Sequence, residues 1–452
     1  MGNNSSNNQA YQDFLASKRG QEQLHGFSPN FMPDFLFDFQ SHLTDWVIRK
    51  GRAALFEDCG LGKTPQQLVW AENVVRKTNK PVLILTPLAV SAQTIREGEK
   101  FGIECKRSQT GKVWKGINVT NYERLHYFDA KDFAGVVADE SSILKNYDGK
   151  MRRYITDFLH QVDYCLLCSA TPAPNDYMEL GTSSEALGEM NYSRMLGMFF
   201  VNDGKTTQKW SLKGHAKKRF WQWMSGWARA IRKPSDLGFD DEKFNLPELK
   251  MEQHLIPSLP PKFGFLPLEA KTLNEQRAER KQTLQPRCEK VAEVIPEDES
   301  CVVWCHLNME GDLLEKIIPG AVQVAGKDPM EQKEERLIAF VDGKVRVLVT
   351  KPKIAGFGQN WQHCANMTFF PSHSYEQFYQ AVRRCWRFGQ TRPVTCNIIT
   401  SERESSVLAN MQRKERQVAH MFEGIVREMT EFQTGKKTNG EPTEEMEIPA
   451  WL

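Results

Sequence analysis

One short segment near the start of the chain restricts its possible folds more than any other feature. The apolar residues 53–56 predict a buried strand, residues 66–76 predict a helix, and the turn between them contains Gly-Leu-Gly-Lys-Thr at residues 60–64. In a strand–turn–helix of this kind, the backbone N–H groups of the turn and the helix N-terminus face an anion. The segment therefore predicts a phosphate-binding loop and a bound nucleotide.

Each residue of that loop has an expected role. The backbone of Gly60, Leu61 and Gly62 would surround the phosphates. Lys63 would reach the β- and γ-phosphates, and the Thr64 hydroxyl would bind Mg²⁺. The alternative is a chance Gly-Lys-Thr sequence, because the usual loop pattern begins with glycine and this chain has a glutamate there. The motifs further along the chain argue against that alternative.

The length and composition are those of a large globular protein. A chain of 452 residues is too long for one hydrophobic core and predicts about three units of ~150 residues. The formal net charge of +2 excludes an overall basic field, so any nucleic-acid surface must be local. No apolar run approaches the ~18 residues of a membrane span, and no signal-peptide pattern opens the chain. Ten cysteines without such a signal favour a reducing cytoplasm, and we expect a cytoplasmic protein without a membrane partner.

Polar residues follow several of the apolar runs that predict strands. Strand and helix patterns alternate over residues 50–180, which predicts a parallel α/β sheet whose ligand lies at the carboxyl ends of the strands. The polar residues at these ends are Thr86 and Pro87, Thr120, Asp139 and Glu140, and Ser169 and Thr171. Their shared position supports a common site more strongly than any one motif does.

Two adjacent carboxylates at the end of one of these strands predict a magnesium ligand and a group that polarises water. Charged groups in such a place are costly unless they hold a cation. Beside a phosphate loop, Asp139 is expected to hold Mg²⁺ together with Thr64, and Glu140 is expected to polarise the attacking water. The alternative is an ordinary Asp-Glu turn.

The alternation stops at residues 181–262. Residues 205–233 contain nine Lys or Arg and no acid, with four tryptophans between them. Phe220, Trp223 and Trp227 lie at helical spacing and would face a core. Lys217, Lys218 and Arg219 would then lie off the buried face, where they could contact nucleic-acid phosphates. A solvated helix is an equally good interpretation. Residues 236–261 contain four prolines and predict a connector.

A second α/β pattern follows over residues 263–403. It has five predicted strands but no second Gly-Lys-Thr, so we expect no nucleotide of its own. Residues 375–387 predict a helix that carries Gln380, Arg384 and Arg387, and arginines this dense suit contact with a triphosphate across a domain boundary. A long helix at residues 404–431 and a polar tail at residues 432–452 complete the chain, and the end of the tail could dock on a protein partner.

The order of these motifs resembles that of superfamily-two helicases, specifically the Swi/Snf-like ATPases, and looks like the compact helicases encoded by bacteriophages. The resemblance covers residues 35–429. It includes an aromatic–glutamine pair before a tryptophan (Phe39, Gln40, Trp46), the nucleotide loop at residues 57–66 and the arginine signature at residues 380–390. The chain departs from the family at Ser141 and Ser142 in the acidic box, and at residues 351–352.

The resemblance implies roles for these residues. Gln40 would read the adenine, and Arg384 and Arg387 would face the phosphates with Gln380 beside them, while the role of Arg383 stays open. Ser169, Thr171 and Gly358 would couple hydrolysis to movement. The residues expected to contact the nucleic acid are Thr86, Pro87, Thr120, Lys145, Asn146 and Asn360.

The predicted fold is α/β, with two tandem RecA-like parallel-sheet lobes and a short helical, basic insertion between them. The predicted units are a disordered tail (1–25), an ATP-binding lobe (26–180), an insertion and connector (181–262), a second lobe (263–403), a C-terminal helix (404–431) and a tail (432–452). The predicted function is a monomeric motor that uses ATP and Mg²⁺ to move along DNA. The alternatives are an RNA helicase, a translocase that never separates strands, a clamp that does not hydrolyse ATP, and a small-molecule kinase.

Overall fold

The computed structural model describes residues 24–87, 90–145, 149–173, 176–202, 210–258, 273–356 and 360–434. The predicted site residues Asn146 and Gly358 lie outside these ranges. So do nearly all of the predicted N-terminal tail and most of the C-terminal tail. In the part of the chain that the structure describes, no helix is long and apolar enough to cross a membrane.

The first lobe is built on a sheet of seven parallel strands. Its strands are β1 Arg52–Glu57, β2 Val82–Thr86, β3 Cys105–Arg107, β4 Ile117–Asn121, β5 Gly135–Asp139, β6 Tyr164–Cys168 and β9 Ala228–Ile231. They are arranged in the order β3-β4-β2-β5-β6-β1-β9. The central strands are buried on both faces, which explains why the sequence gives continuous apolar runs there instead of alternation.

Helices cover both faces of this sheet. They are α1 Asp38–Lys50, α2 Lys63–Thr78, α3 Ser91–Phe101 and α4 Lys150–Leu159. Successive residues of one strand enter different clusters: Ala53 and Leu55 pack in the cluster that contains α1 and α2, whereas Ala54 and Phe56 pack in the cluster on the other face. The sheet is therefore held between two apolar layers, and its polar strand ends are left at one edge.

The insertion between the lobes packs on the first lobe. It contains α5 Glu179–Leu187, α6 Tyr192–Phe199, the antiparallel pair β7 Phe200–Asn202 and β8 Trp210–Leu212, and α7 Lys217–Ser225. Phe220 and Trp221 of α7 belong to the main apolar cluster of that lobe. The aromatic side of α7 is core, while Lys217, Lys218 and Arg219 at its start are exposed, as the sequence predicted.

The second lobe contains a sheet of six parallel strands. These are β10 Leu249–Ile256, β11 Cys301–Trp304, β12 Ala321–Val324, β13 Val347–Thr350, β14 Asn366–Phe369 and β15 Val394–Ser401, in the order β10-β15-β14-β11-β13-β12. Its helices are α8 Leu273–Gln282, α9 Leu284–Val294, α10 Asn308–Ile317, α11 Met330–Val341, α12 Pro352–Ala355 and α13 Tyr375–Val382. The predicted fold class of two parallel-sheet α/β lobes is confirmed.

The sequence predicted a helical insertion and connector over residues 181–262, but besides the β7–β8 pair this stretch contributes one strand to the sheet of each lobe. β9 joins the first sheet beside β1, and β10 joins the second sheet along the whole of β15. Both are edge strands. Most side chains of β10 are exposed, so the strand has neither an apolar run nor an alternating pattern by which the sequence could reveal it.

The C-terminal helix, α14 Ser405–Thr434, connects the two lobes. Met411 packs in the core of the second lobe, whereas Val418, Phe422 and Ile425 pack in the core of the first. A Cβ atom placed on Gly424 would lie 2.8 Å from the Trp221 ring, so glycine allows the helix to approach α7 this closely. The helix is therefore part of both lobes.

The burial of Trp221 leads to a first prediction. Trp221 is fully buried under α14, whereas Trp223, which the sequence placed on the buried stripe, is only half-buried. Replacing a buried aromatic side chain by alanine leaves a cavity, and Trp221→Ala should lower the free energy of unfolding by about 3–5 kcal/mol. Urea denaturation measures this loss, and Trp223→Ala should cost clearly less. Equal losses for the two variants would contradict the packing of α14 on Trp221.

Candidate active site

The loop between β1 and α2 has the backbone conformation that its two glycines allow. Gly60 and Gly62 have φ angles of +92° and +79°, in the left-handed region that side chains disfavour. A Cβ atom on Gly62 would also lie 2.3 Å from the Gln40 amide nitrogen. Gly62 is the residue that caps the N-terminus of α2, so the loop leads directly into the helix start, and the binding of an anion there stays a prediction.

Lys63 is the first residue of α2, and its side chain turns back over the loop. Its Nζ atom donates hydrogen bonds to the carbonyl oxygens of Glu57 at 2.8 Å and of Asp58 at 3.2 Å. Burial alone would lower the pKa of Lys63, but the nearby Cys59 and Glu140 reverse that effect and the pKa is raised. Lys63 is therefore a stable cation beside the loop.

Gln40 supports the loop from α1. Its Nε2 atom donates a hydrogen bond to the carbonyl oxygen of Leu61 at 2.7 Å, and its Oε1 atom accepts one from the Phe37 N–H at 3.0 Å. The side chain is buried, and both ends of the amide already contact the backbone. Gln40 holds the loop in place here, and its expected contact with adenine stays a prediction.

The acidic pair lies at the end of β5, beside the loop. Gln67 donates a hydrogen bond to Asp139 Oδ1 at 2.7 Å, and the Tyr122 hydroxyl donates one to the Asp139 carbonyl oxygen at 2.6 Å. Glu140 has a φ of +53°, an uncommon value for a residue with a side chain. Its buried Oε2 atom has no hydrogen-bond partner among the described residues. A strained backbone and an unsatisfied carboxylate oxygen together indicate a functional position.

Burial changes the acidity of both carboxyl groups. Burial, then the charge of Asp139, raises the pKa of Glu140 to about 7, against the opposing effects of Lys63 and Arg384. Burial also raises the pKa of Asp139, against the hydrogen bond from Gln67 and the charge of Lys63. A cation between these groups would restore their charged forms. The residues therefore fit a Mg²⁺ ion held by Asp139 and the half-buried Thr64.

The arginines of the second lobe reach this group of residues. The sequence predicted a helix over residues 375–387, but α13 ends at Val382, and Arg384 and Arg387 lie in the turns that follow. Arg384 donates hydrogen bonds from Nε to the Gln380 carbonyl at 2.9 Å and from Nη2 to Gln380 Oε1 at 3.0 Å. The Arg384 carbonyl oxygen accepts a hydrogen bond from the Trp361 N–H at 2.9 Å, which ties these turns to the segment before β14.

The phosphate loop and the arginine-bearing turns lie in contact: the Cys59 thiol donates to Gln380 Oε1 at 3.6 Å, and a Cβ atom placed on Gly60 would lie 3.7 Å from the Arg387 Cβ atom. The charge of Arg384 lowers the pKa of Asp139 and Glu140, against the larger effect of their burial. Burial, then the charge of Arg384, lowers the pKa of Arg387 to about 10. The predicted catalytic residues are therefore brought together, although they come from both lobes.

The predicted coupling residues lie just after β6. Ser169 and Thr171 are both buried, and the Ser169 hydroxyl oxygen accepts a hydrogen bond from the Thr171 N–H at 3.1 Å. The Ser169 N–H also donates to the Leu55 carbonyl oxygen at 3.1 Å, which ties this segment to β1. Their coupling role stays a prediction.

The predicted nucleic-acid residues have different environments. The side chains of Thr86 and Thr120 are buried, so only their backbone could contact a strand. Lys145 forms an ion pair with Glu376 of the second lobe, so its charge is already balanced. Pro87 and Lys145 line a cleft of about 500 Å³ between the lobes, opposite Lys333 and Lys353. The buried Oδ1 atom of Asn360 has no hydrogen-bond partner within the ranges that the structure describes.

The sequence analysis missed several residues of the site. Gln67 lies three residues after Thr64 on α2, and its hydrogen bond orients Asp139. That spacing places both side chains on the same side of the helix, which was the signal available in the sequence. Asp58 and Tyr379 contact each other across the cleft, and Glu376 pairs with Lys145. Those contacts join residues more than 200 positions apart, and no local pattern reveals them.

Glu57 provides a test of the electrostatics. Burial raises its pKa from 4.5 to about 7, opposed by Lys63 and by the hydrogen bond from Gln66. The folded protein therefore binds more protons than the unfolded chain between pH 4.5 and 7, and this group lowers stability progressively as pH rises through that interval. Glu57→Gln should remove the cost, which is about 3 kcal/mol above pH 7.

The measurement is urea denaturation of both proteins from pH 5 to pH 8. The stability of the variant relative to the parent should increase with pH and then level off. Glu252 on the exposed β10 provides the control, and Glu252→Gln should change stability little at any pH. A difference for Glu57→Gln that does not vary with pH would refute the raised pKa.

No protein-family model matches this chain, and no curated protein matches it. Among solved structures, the chain is similar to the Sulfolobus solfataricus SWI2/SNF2 ATPase core in complex with dsDNA. The match covers 89% of this chain and 96% of that chain at 16% sequence identity, with a TM-score of 0.41. A similarity this distant carries no functional argument.

Proposed function

We propose that this protein is an ATP-dependent DNA motor that hydrolyses ATP in the cleft between its two lobes. One observation carries the proposal: a phosphate loop with its lysine, an acidic pair and two arginines meet in one buried cleft, although they come from different lobes. Phosphoryl transfer needs a cradle for the phosphates, an oriented water and positive charge at the transition state. The cleft has candidates for all three.

Each residue has a proposed task. The loop backbone and Lys63 bind the β- and γ-phosphates. Thr64 and Asp139 would hold Mg²⁺, which would supply positive charge to the phosphates when bound. Glu140 orients the attacking water with its unsatisfied carboxylate oxygen and accepts its proton. Arg384 and Arg387 stabilise the charge that develops on the phosphates, and Gln380 positions Arg384.

Exposed basic residues support DNA as the polymer along which the motor moves. Lys217, Lys218 and Arg219 are exposed on α7, on a helix whose other side is core. The cleft between the lobes has Lys333 and Lys353 on its wall. Exposed cations on a rigid helix suit the evenly spaced phosphates of a nucleic-acid backbone.

The alternative functions differ in the polymer that the protein acts on or in whether it hydrolyses ATP. An RNA helicase would use the same cleft, and a clamp would bind nucleotide without turnover. The strained Glu140 backbone and its unsatisfied oxygen favour hydrolysis over the clamp, because a pure binding site has no use for an oriented carboxylate. A small-molecule kinase is disfavoured because the arginines come from a separate lobe over 300 residues downstream.

The decisive experiment compares ATPase rates with single-stranded DNA, duplex DNA, forked DNA and RNA in parallel. The proposal expects stimulation by DNA. Stimulation by RNA alone would identify an RNA helicase, and ATP binding without hydrolysis under all conditions would identify a clamp.

Substitutions at Lys63 and Glu140 should impair different steps, nucleotide binding and hydrolysis respectively. Lys63 meets charge that ATP already carries in the ground state, so Lys63→Ala should weaken nucleotide binding by about ten- to a hundredfold. Glu140 acts on water in the transition state, so Glu140→Gln should keep nucleotide affinity and lower kcat by at least about a hundredfold. Binding titrations and single-turnover hydrolysis separate the two effects. Parental turnover by Glu140→Gln would show that another group orients the water.

The start of α7 should set the salt dependence of DNA binding. Neutralising Lys217, Lys218 and Arg219 to glutamine should weaken binding to all sequences alike, and flatten the slope of log affinity against log salt by about 0.9 per lost duplex contact. Basal ATPase should survive, because none of the three lies in the cleft.

A matched control is available on α8. Arg277 and Lys281 are also exposed cations on a helix, and Arg277→Gln with Lys281→Gln should leave the salt slope unchanged. If the α7 variant keeps the parental slope, α7 is only a solvated helix.

A further inference from the structure

The phosphate loop carries a carboxylate that no nucleotide role explains. Asp58 follows the end of β1, and its side chain is 10% exposed. Its Oδ2 atom pairs with the guanidinium of Arg383, and its Oδ1 atom accepts a hydrogen bond from the Tyr379 hydroxyl. The Cys59 N–H donates to the same Oδ1 atom at 2.6 Å. Asp58 thus joins the loop of the first lobe to α13 and the turn after it in the second.

Arg383 is held in this position from its other side. The plane of its guanidinium lies over the Trp386 ring at 4.5 Å and near the Tyr379 ring at 5.4 Å. The Trp386 indole N–H in turn donates to the Pro247 carbonyl oxygen at 2.7 Å, in the chain segment that connects the lobes. Stacking and an ion pair together fix a side chain that would otherwise have much rotational freedom.

Further contacts run beside this pair. The Cys59 thiol donates to Gln380 Oε1 at 3.6 Å, and a Cβ atom placed on Gly60 would lie 3.0 Å from the Phe388 backbone nitrogen. The loop and the arginine-bearing turns therefore touch on both sides of Arg384.

We propose that Asp58, Arg383 and Tyr379 form a latch that seats the arginine-bearing turns on the phosphate loop and so fixes Arg384 and Arg387 for the reaction. The inference rests on the proposed function and deepens it. Asp58 and Arg383 are positioning residues. The guanidinium of Arg383 is paired with the Asp58 carboxylate, whereas the next residue, Arg384, faces Asp139 and Glu140.

The physical reason is the burial of both charges. A buried ion pair is costly to break at one side, because the remaining charge is left without a partner. The pair therefore sets one separation and one orientation of the two segments. A small misplacement of a reacting group can reduce turnover by about a hundredfold, so the latch should affect kcat without binding the phosphates itself.

A double-mutant cycle tests this assignment with Asp58→Asn, Arg383→Gln and the combination. Each single variant should lower kcat by at least about tenfold, while the Kd for ATP stays within about threefold of the parent. The combined variant should be no worse than the poorer single one, because both remove the same interaction. Arg383→Lys, which keeps the charge and loses the planar fork, should recover part of the lost kcat.

Two results would overturn the latch. If Arg383→Gln raises the Kd for ATP by tenfold or more, and its effect adds to that of Asp58→Asn, Arg383 contacts the phosphates directly. If neither single variant changes kcat, the pair has no influence on the arginines. Circular dichroism of every variant identifies misfolding, in which case the Arg383→Lys comparison decides.

A second measurement needs no ATP. Small-angle X-ray scattering without nucleotide should give the combined variant a larger radius of gyration than the parent, because the lobes lose their central contact. Arg107→Gln is the matched control: Arg107 pairs with Glu334 across the lobes at 3.1 Å, but both side chains are partly exposed and lie away from the arginine-bearing turns.

The control should keep the parental radius and the parental kcat. An unchanged radius in the combined variant would overturn the latch even if its kcat fell. If the parent protein hydrolyses no ATP on any nucleic acid, the proposed function fails, while the scattering result still decides whether the latch exists.

Discussion

Burial of ionisable side chains from both lobes in one cleft is the constraint on which the rest of this structure depends. The first lobe contributes Glu57, Asp139 and Glu140, whose pKa values burial raises, and Lys63 as a cation among them. The second lobe contributes Arg384 and Arg387. Charges taken out of water are costly unless they are paired, so the cleft favours an arrangement in which the two lobes remain together. The chemistry and the contact between lobes therefore have the same physical origin.

Much of the first lobe could be predicted because its signals are local. The strand, glycine turn and helix at residues 52–78 are encoded by a continuous stretch, and only glycine accommodates the backbone at Gly62. The convergence of Asp139, Ser169 and the loop followed from parallel topology, because the carboxyl ends of parallel strands meet at one edge. Local sequence therefore determined which residues could meet.

The features that the sequence did not predict are a strand at a sheet edge and contacts between residues that are far apart in the chain. β10 is mostly exposed and pairs on one side only, so its residues carry no strand pattern. Trp221 is buried because α14 lies on it, and a stripe drawn on α7 alone selected Trp223 instead. The ion pair with Glu376 likewise balances the charge of Lys145, which the sequence predicted to contact DNA. In each case the missing information was the identity of the neighbour.

The position of α14 limits how the lobes can separate. Met411 is packed in the second lobe and Val418 in the first, only seven residues further along the same helix. Two turns of helix cannot stretch, so any wide opening must either bend α14 between these residues or withdraw Phe422 and Ile425 from the first lobe. Withdrawal would expose a buried apolar surface and leave a gap over Trp221, which is costly. A rotation about the α14 contact preserves both cores and still parts the loop from the arginines. The structure therefore favours a hinge on the α14 side, with the largest movement at Asp58 and Arg383.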